Sequence, residues 1–182
     1  MKEKFKTISI LLLGLLLFGL VGCGSDKTAD KKNPPTNQEY YDYLTERYNY
    51  YFNNSDLDTN YDVFLDNFTY DDSYDEFITV YNDDYGQLKR NLEAFKSDLE
   101  NNVIKGNDEV DKYNQEMITA TDKAIIAVDD YIGSFGEKAK DYATLSKDEV
   151  VKGLRSLTLD AHNARLDLKN LYDDAKDKLG IK

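Results

Sequence analysis

The chain has 182 residues, with 35 Asp and Glu against 23 Lys and Arg, one His and a net charge of −12. That balance excludes nucleic acid as a natural partner, because phosphate recognition needs clustered Lys or Arg and no basic stripe occurs. Length and a hydrophobic share of 41% suffice for one domain with a real core, while a single cysteine leaves no intramolecular disulfide to staple it.

Lys2, Lys4 and Lys6 open the chain, and from Ile8 to Val21 only Ser9 and two glycines interrupt an apolar run. As a helix that run would be roughly 21 Å long, short of a hydrocarbon core of about 30 Å. It reads as a secretory signal. Its end, Leu20, Val21, Gly22 and Cys23 followed by Gly24 and Ser25, resembles the lipobox of bacterial lipoproteins. The resemblance implies cleavage between Gly22 and Cys23, a diacylglyceryl group on the Cys23 sulfur, and a lipid-anchored protein at the extracytoplasmic face of a bacterial cell membrane. Two acyl chains anchor stably where one is marginal. No narrower family is identified by these residues.

Residues 1–22 are thus expected to be removed, and since they carry three lysines and one glutamate the remainder stands at −14. Residues 23–35 are polar and end in Pro34 and Pro35, the composition of a flexible tether. Residues 36–182 form the expected domain. Its charge is uneven: residues 39–85 hold 13 acids against Arg47 alone, together with 11 of the 15 tyrosines, while the rest is nearly balanced.

Proline is absent after Pro35, so long helices are the default. A hydroxyl residue followed three places later by Glu marks helix starts at Thr36 with Glu39, Ser73 with Glu76, and Ser146 with Glu149. Asn107 marks a fourth, with Gly106 ending the helix before it. The spacing predicts a short helix over 37–53 with Tyr41, Leu44, Tyr48 and Tyr51 on its inner face, and a brief second piece around Leu57, Tyr61, Phe64 and Phe68. Three longer stripes follow. One steps through Tyr74, Ile78, Tyr81, Tyr85, Leu88, Leu92, Phe95, Leu99 and Val103; a second through Met117, Thr121, Ile125 and Val128; the last through Val150, Leu154, Leu157, Ala161, Ala164, Leu168, Leu171 and Ala175. Gly133 and Gly136 either kink the second of these helices or stop it, with a short helix then running to Tyr142. Helices of about 30 residues are roughly 45 Å long. The expected fold is all-α, an elongated antiparallel bundle of three long helices with one or two shorter N-terminal helices packed on it.

Chemistry-bearing motifs are sparse. Asp56, Asp58 and Asn60 begin like a calcium loop, but Tyr61 and Asn67 stand where the turn glycine and bidentate glutamate belong. An ordinary inter-helix loop is expected there. His162 has no second histidine to share a metal, and no nucleophile elbow, Cys/His pair or phosphate-cradling loop is present. No catalysis, metal or cofactor is expected.

What remains is tyrosine, amphipathic and enriched at recognition surfaces. Tyr40, Tyr43, Tyr50 and Tyr70 fall off the inner stripe and are expected to form an exposed patch with the acids Asp71, Asp72, Asp75 and Glu76. The expected role is a non-catalytic protein-interaction domain that meets an envelope protein through this acidic face. The alternative is a cell-wall glycan, which would be neutral since a polyanion is repelled; exclusion of phage or conjugative elements is a third reading, by analogy alone.

Overall fold

Side-chain caps mark where the first four helices begin. The structure, a computed structural model, describes residues 33–53, 63–64 and 73–182. At the head of α1 (Asn37–Tyr48) the Thr36 hydroxyl accepts from the Glu39 amide, and the Thr36 amide donates to the Glu39 carboxylate at 2.8 Å. The same reciprocal box, Ser146 with Glu149, opens α4 (Lys147–Leu157). Ser73 accepts from the Glu76 amide ahead of α2 (Tyr74–Asn102), and Asn107 from the Val110 amide ahead of α3 (Asp108–Tyr142). Each cap satisfies a backbone donor that the first turn leaves without a partner.

Helix ends depart from expectation in three places. α2 stops at Asn102, four residues before Gly106. Asn101 there donates its side-chain amide to the Ser97 carbonyl at 2.8 Å, offering the last turn an alternative to another backbone bond. Gly106 instead adopts φ +129°, and a Cβ on it would lie 2.7 Å from Pro34 Cγ, so both the backbone and the close approach require glycine. The Pro35 carbonyl also accepts from Asn107 Nδ2 at 2.9 Å. The two prolines that close the expected tether therefore already touch the domain.

Secondly, of the two alternatives at Gly133 and Gly136 the stop does not occur, and α3 continues to Tyr142. Both glycines lie on its exposed side, whereas Tyr131, Phe135 and Tyr142 are buried. Burying three aromatic side chains outweighs a helix penalty of about 1 kcal/mol per glycine.

Thirdly, the last long helix is divided into α4, α5 (Leu159–Asp173) and α6 (Ala175–Lys178). At Thr158 the hydroxyl donates to the Leu154 carbonyl at 2.7 Å beside its own amide at 2.8 Å, a double load of the kind that bends helices. His162 N–H still donates to the Thr158 carbonyl at 2.8 Å. The bend thus keeps the stripe in phase, and Val150, Leu154, Ala161, Leu168 and Ala175 are all buried.

The fold is all-α, an antiparallel bundle of α2, α3 and the α4–α5 pair with the shorter α1 packed on it. α3 lies between its two long neighbours. Lys89 and Lys96 of α2 pair with Asp129 and Asp122 of α3, both at 2.5 Å, and Tyr113 of α3 donates to the Leu171 carbonyl of α5. α1 runs antiparallel to α2 and bridges to α5: the Tyr48 ring stacks on Tyr172 at 3.8 Å and meets Phe95 of α2 edge-on at 6.1 Å. A π-helical turn, Asn49–Asn53, extends α1 and places Phe52 against Phe95. Val63 is buried, its carbonyl accepts from Arg155, and Phe64 stacks on His162 at 4.0 Å.

Several expectations fall on residues outside the described ones: the leader, the lipobox with Cys23, most of the tether, the Asp56–Asp58–Asn60 segment, and the helical piece around Leu57, Tyr61 and Phe68. Among the described residues no group of three or more His, Cys, Asp or Glu could hold a metal ion, and no helix is long and apolar enough to cross a membrane.

Candidate functional site

Position 40 separates the expected tyrosine patch from the observed one. Tyr40 is 1% exposed and points inward, its hydroxyl donating to Asn114 Oδ1 at 3.1 Å. The buried line of α1 is Tyr40, Leu44 and Tyr48, stepping by four, and it continues to Phe52. Tyr41, expected on that line, sits beside it and carries the Lys176 ammonium 5.8 Å from its ring centre. The expectation that Tyr40 is exposed is corrected: residues 40 and 41 both lie a helical step from Leu44, and the space between α2 and α3 accepts the first.

The other tyrosines build a platform where α1 meets α2, and Tyr43, expected to be exposed, is half-buried there against the core. Tyr43, Arg47 and Tyr51 recur every four residues, so one face presents all three toward α2. Tyr43 donates to the backbone carbonyl of Asp98 at 3.0 Å, and Tyr51 to its carboxylate at 2.9 Å. The Arg47 guanidinium lies 3.7 Å from that carboxylate and also pairs with Glu46. Asn102 Nδ2 holds the second carboxylate oxygen at 3.1 Å, and Asn91 Nδ2 donates to the Tyr51 carbonyl at 2.9 Å. One aspartate thus gathers two phenols and a guanidinium.

Tyr50 stands on this base with 64% of its surface in solvent. The Tyr51 ring meets it perpendicularly at 4.9 Å, and the Arg47 guanidinium is 5.7 Å from its centre and 5.9 Å from that of Tyr43. Glu46 and Asp42, one and two turns before Tyr50, are exposed. Burial pushes the Tyr43 phenol up to about 12, and burial followed by the hydrogen bond to Asp98 does the same for Tyr51. Both phenols therefore remain protonated donors at physiological pH. The arrangement offers a held aromatic ring, a guanidinium and flanking carboxylates, suited to recognition.

The expected acids are not gathered here. Asp75 and Glu76 are exposed in the first turn of α2, some 15 residues from Asn91 and thus roughly 22 Å along the helix from the Tyr50 platform. At that end the neighbour is the last part of α3, where Tyr74 donates to the Ala139 carbonyl at 2.6 Å. Tyr70, Asp71 and Asp72 lie outside the described residues. Arg47, Tyr51, Asn91 and Asp98 were not among the expected site residues. The four-residue spacing of Tyr43, Arg47 and Tyr51 is the one signal in the sequence that points to them; nothing local marks Asp98 or Asn91. The chain has no significant match among protein-family models, curated proteins or solved structures.

Proposed function

We propose that the protein is a surface lipoprotein, tethered to the bacterial cell membrane through diacylglyceryl-Cys23, and that its domain is a non-catalytic protein-interaction module of the envelope. The anchor rests on the sequence Leu20-Val21-Gly22-Cys23 behind a basic and apolar leader. The observation that carries the interaction role is Tyr50, an exposed aromatic side chain on a platform already ordered by Asp98. Ordering it beforehand spares the entropy that binding would otherwise cost. A basic protein surface is the complement, drawn by Asp42 and Glu46 and weakened by salt.

Binding of an envelope protein fraction to immobilised wild type, Tyr50→Ala, Asp42→Lys with Glu46→Lys, and Asp75→Lys with Glu76→Lys tests the site. The first two variants lose a specific partner and the third keeps it. Equal retention by all four rules the platform out. Mass spectrometry of the native product tests the anchor separately: an unmodified Cys23 or an attached leader ends the lipoprotein reading.

Neutral cell-wall glycan is the second reading, supported by the same exposed ring because sugars pack on aromatic faces. Retention on purified peptidoglycan that depends on Tyr50 and is insensitive to salt favours glycan over protein.

A further inference from the structure

α3 shares an outer seam with each long neighbour, and the chain treats the two seams differently. Along α2–α3, Lys89 and Lys96 recur seven residues apart, as do their partners Asp122 and Asp129, and both pairs close at 2.5 Å. Along α3–α5 the same seven-residue rhythm recurs in Glu116, Lys123 and Asp130 on one side and Asp160, Asp167 and Asp174 on the other. Among the described residues none of those five acids makes an ion pair.

This second seam is also concave. Two adjoining hollows of about 290 and 420 Å³ lie along it and share Lys123. Their floor is apolar, formed by Ala120 and Ala127 of α3, Leu157, and Ala164 and Leu171 of α5. Ile126, 55% exposed, stands at the rim. From Glu116 to Ser134 the groove follows α3 for roughly 27 Å, the length of about five helical turns.

We propose that the α3–α5 groove receives an amphipathic helix of a partner protein whose apolar stripe lies on the alanine and leucine floor and whose Lys or Arg, recurring every seven residues, pair with Asp160, Asp167 and Asp174. The small floor residues let a helix approach closely, and flanking charges at heptad spacing set partner choice in helix-on-helix packing. Charge selects against the other occupants. A second copy would bring the same rim, five acids against Lys123 and Lys178, and a net charge of −12 against the first. Of the chain's own segments that remain once the proposed leader is cleaved, 54–62 and 65–72 carry six aspartates and no base, and 24–32 has only Ala29 as an apolar side chain. This groove is separate from the Tyr50 platform, and either can fail without the other.

The test uses the full-length protein in neutral detergent and a fluorescently labelled synthetic peptide of about three heptads, with Ala and Leu at the buried positions and Lys at the flanking ones. A peptide with Glu in place of every Lys is the control. Binding is followed by anisotropy for wild type, for the groove variant Asp160→Lys, Asp167→Lys, Asp174→Lys, and for an equal reversal elsewhere, Asp83→Lys, Glu93→Lys, Glu137→Lys. The expected result is binding of the Lys peptide alone, weakened roughly tenfold or more in the groove variant and within about threefold of wild type in the other. Equal weakening by both reversals, or no binding to wild type, overturns the proposal. So does concentration-dependent dimerisation in sedimentation that the groove variant alters, since a second copy would then be the occupant. Circular dichroism that is the same for all three proteins confirms that a loss is not one of folding.

Discussion

Tyr40 of α1 donates its hydroxyl to Asn114 Oδ1 of α3 at 3.1 Å, and Asn114 Nδ2 donates onward to the Leu99 carbonyl of α2 at 3.0 Å. A single buried amide thus links three helices through both of its polar atoms. Its dielectric surroundings make each bond stronger than at the surface and each loss dearer.

Tyr40→Phe removes one bond while keeping the ring, and is expected to destabilise by about 1 to 2 kcal/mol, because Asn114 Oδ1 is left without that donor. Tyr131→Phe is the converse case. The Tyr131 hydroxyl is buried with no hydrogen-bond partner among the described residues, so its removal is expected to be neutral or to stabilise by up to about 1 kcal/mol. Urea denaturation of the two variants, read by far-UV circular dichroism, compares them; equal losses would contradict the geometry.

Three helical glycines are expected to respond oppositely to alanine. Gly133 and Gly136 have nothing within 4 Å of an added Cβ, so Gly133→Ala and Gly136→Ala each stabilise by about 0.5 to 1 kcal/mol through helix propensity. At Gly153 the new Cβ would lie 2.8 Å from Tyr142 Cε1 and 2.9 Å from its hydroxyl oxygen. Tyr142 is buried and has little room to withdraw, so Gly153→Ala is expected to destabilise by about 1 to 2 kcal/mol net of propensity. Thermal melts rank the three, and a raised midpoint for Gly153→Ala would show that the ring moves freely.

Alkaline pH is expected to unfold the domain. Burial raises the phenols of Tyr43 and Tyr51 from 10.0 to about 12 and pushes Tyr40, Tyr113 and Tyr131 higher still. Between those values the folded state holds protons that the unfolded chain releases. Stability is therefore complete below pH 10 and falls as pH rises through 10 to 12 and beyond. Phenolate absorbance should rise in two stages, the exposed tyrosines first and the buried ones together with loss of helix. A single stage near pH 10, with helix retained, would contradict it.

The N-cap of α4 is expected to be worth more than its exposure suggests. Ser146 accepts from the Glu149 amide, and its own amide and hydroxyl both donate to the Glu149 carboxylate, at 2.9 and 2.6 Å. Ser146→Ala should cost about 1 kcal/mol, while Ser146→Asp should recover most of it. Chemical denaturation decides, and an unchanged midpoint for Ser146→Ala would remove the cap from the account of why α4 starts there.

Local signals determined much of this protein in advance. The caps at Thr36, Ser73, Asn107 and Ser146 act within one turn of their own helices, and the stripes from Ile78 to Leu99 and from Val150 to Ala175 repeat often enough that a helix of either register buries them. Helix identity, antiparallel order and the all-α class follow from such short-range rules. The tertiary structure decided wherever two local solutions were nearly equal. Tyr40 and Tyr41 both lie within reach of Leu44, and only the position of Asn114 and Leu99 draws the former inward. Gly133 and Gly136 permit a break, and the buried aromatic rings beyond them prevent it. Asp98 is one carboxylate among many until α1 folds across α2 and brings Tyr43, Arg47 and Tyr51 to it. Residues distant in the chain share no periodicity that could announce their meeting, so a site assembled from several helices is specified only when the packing brings them together.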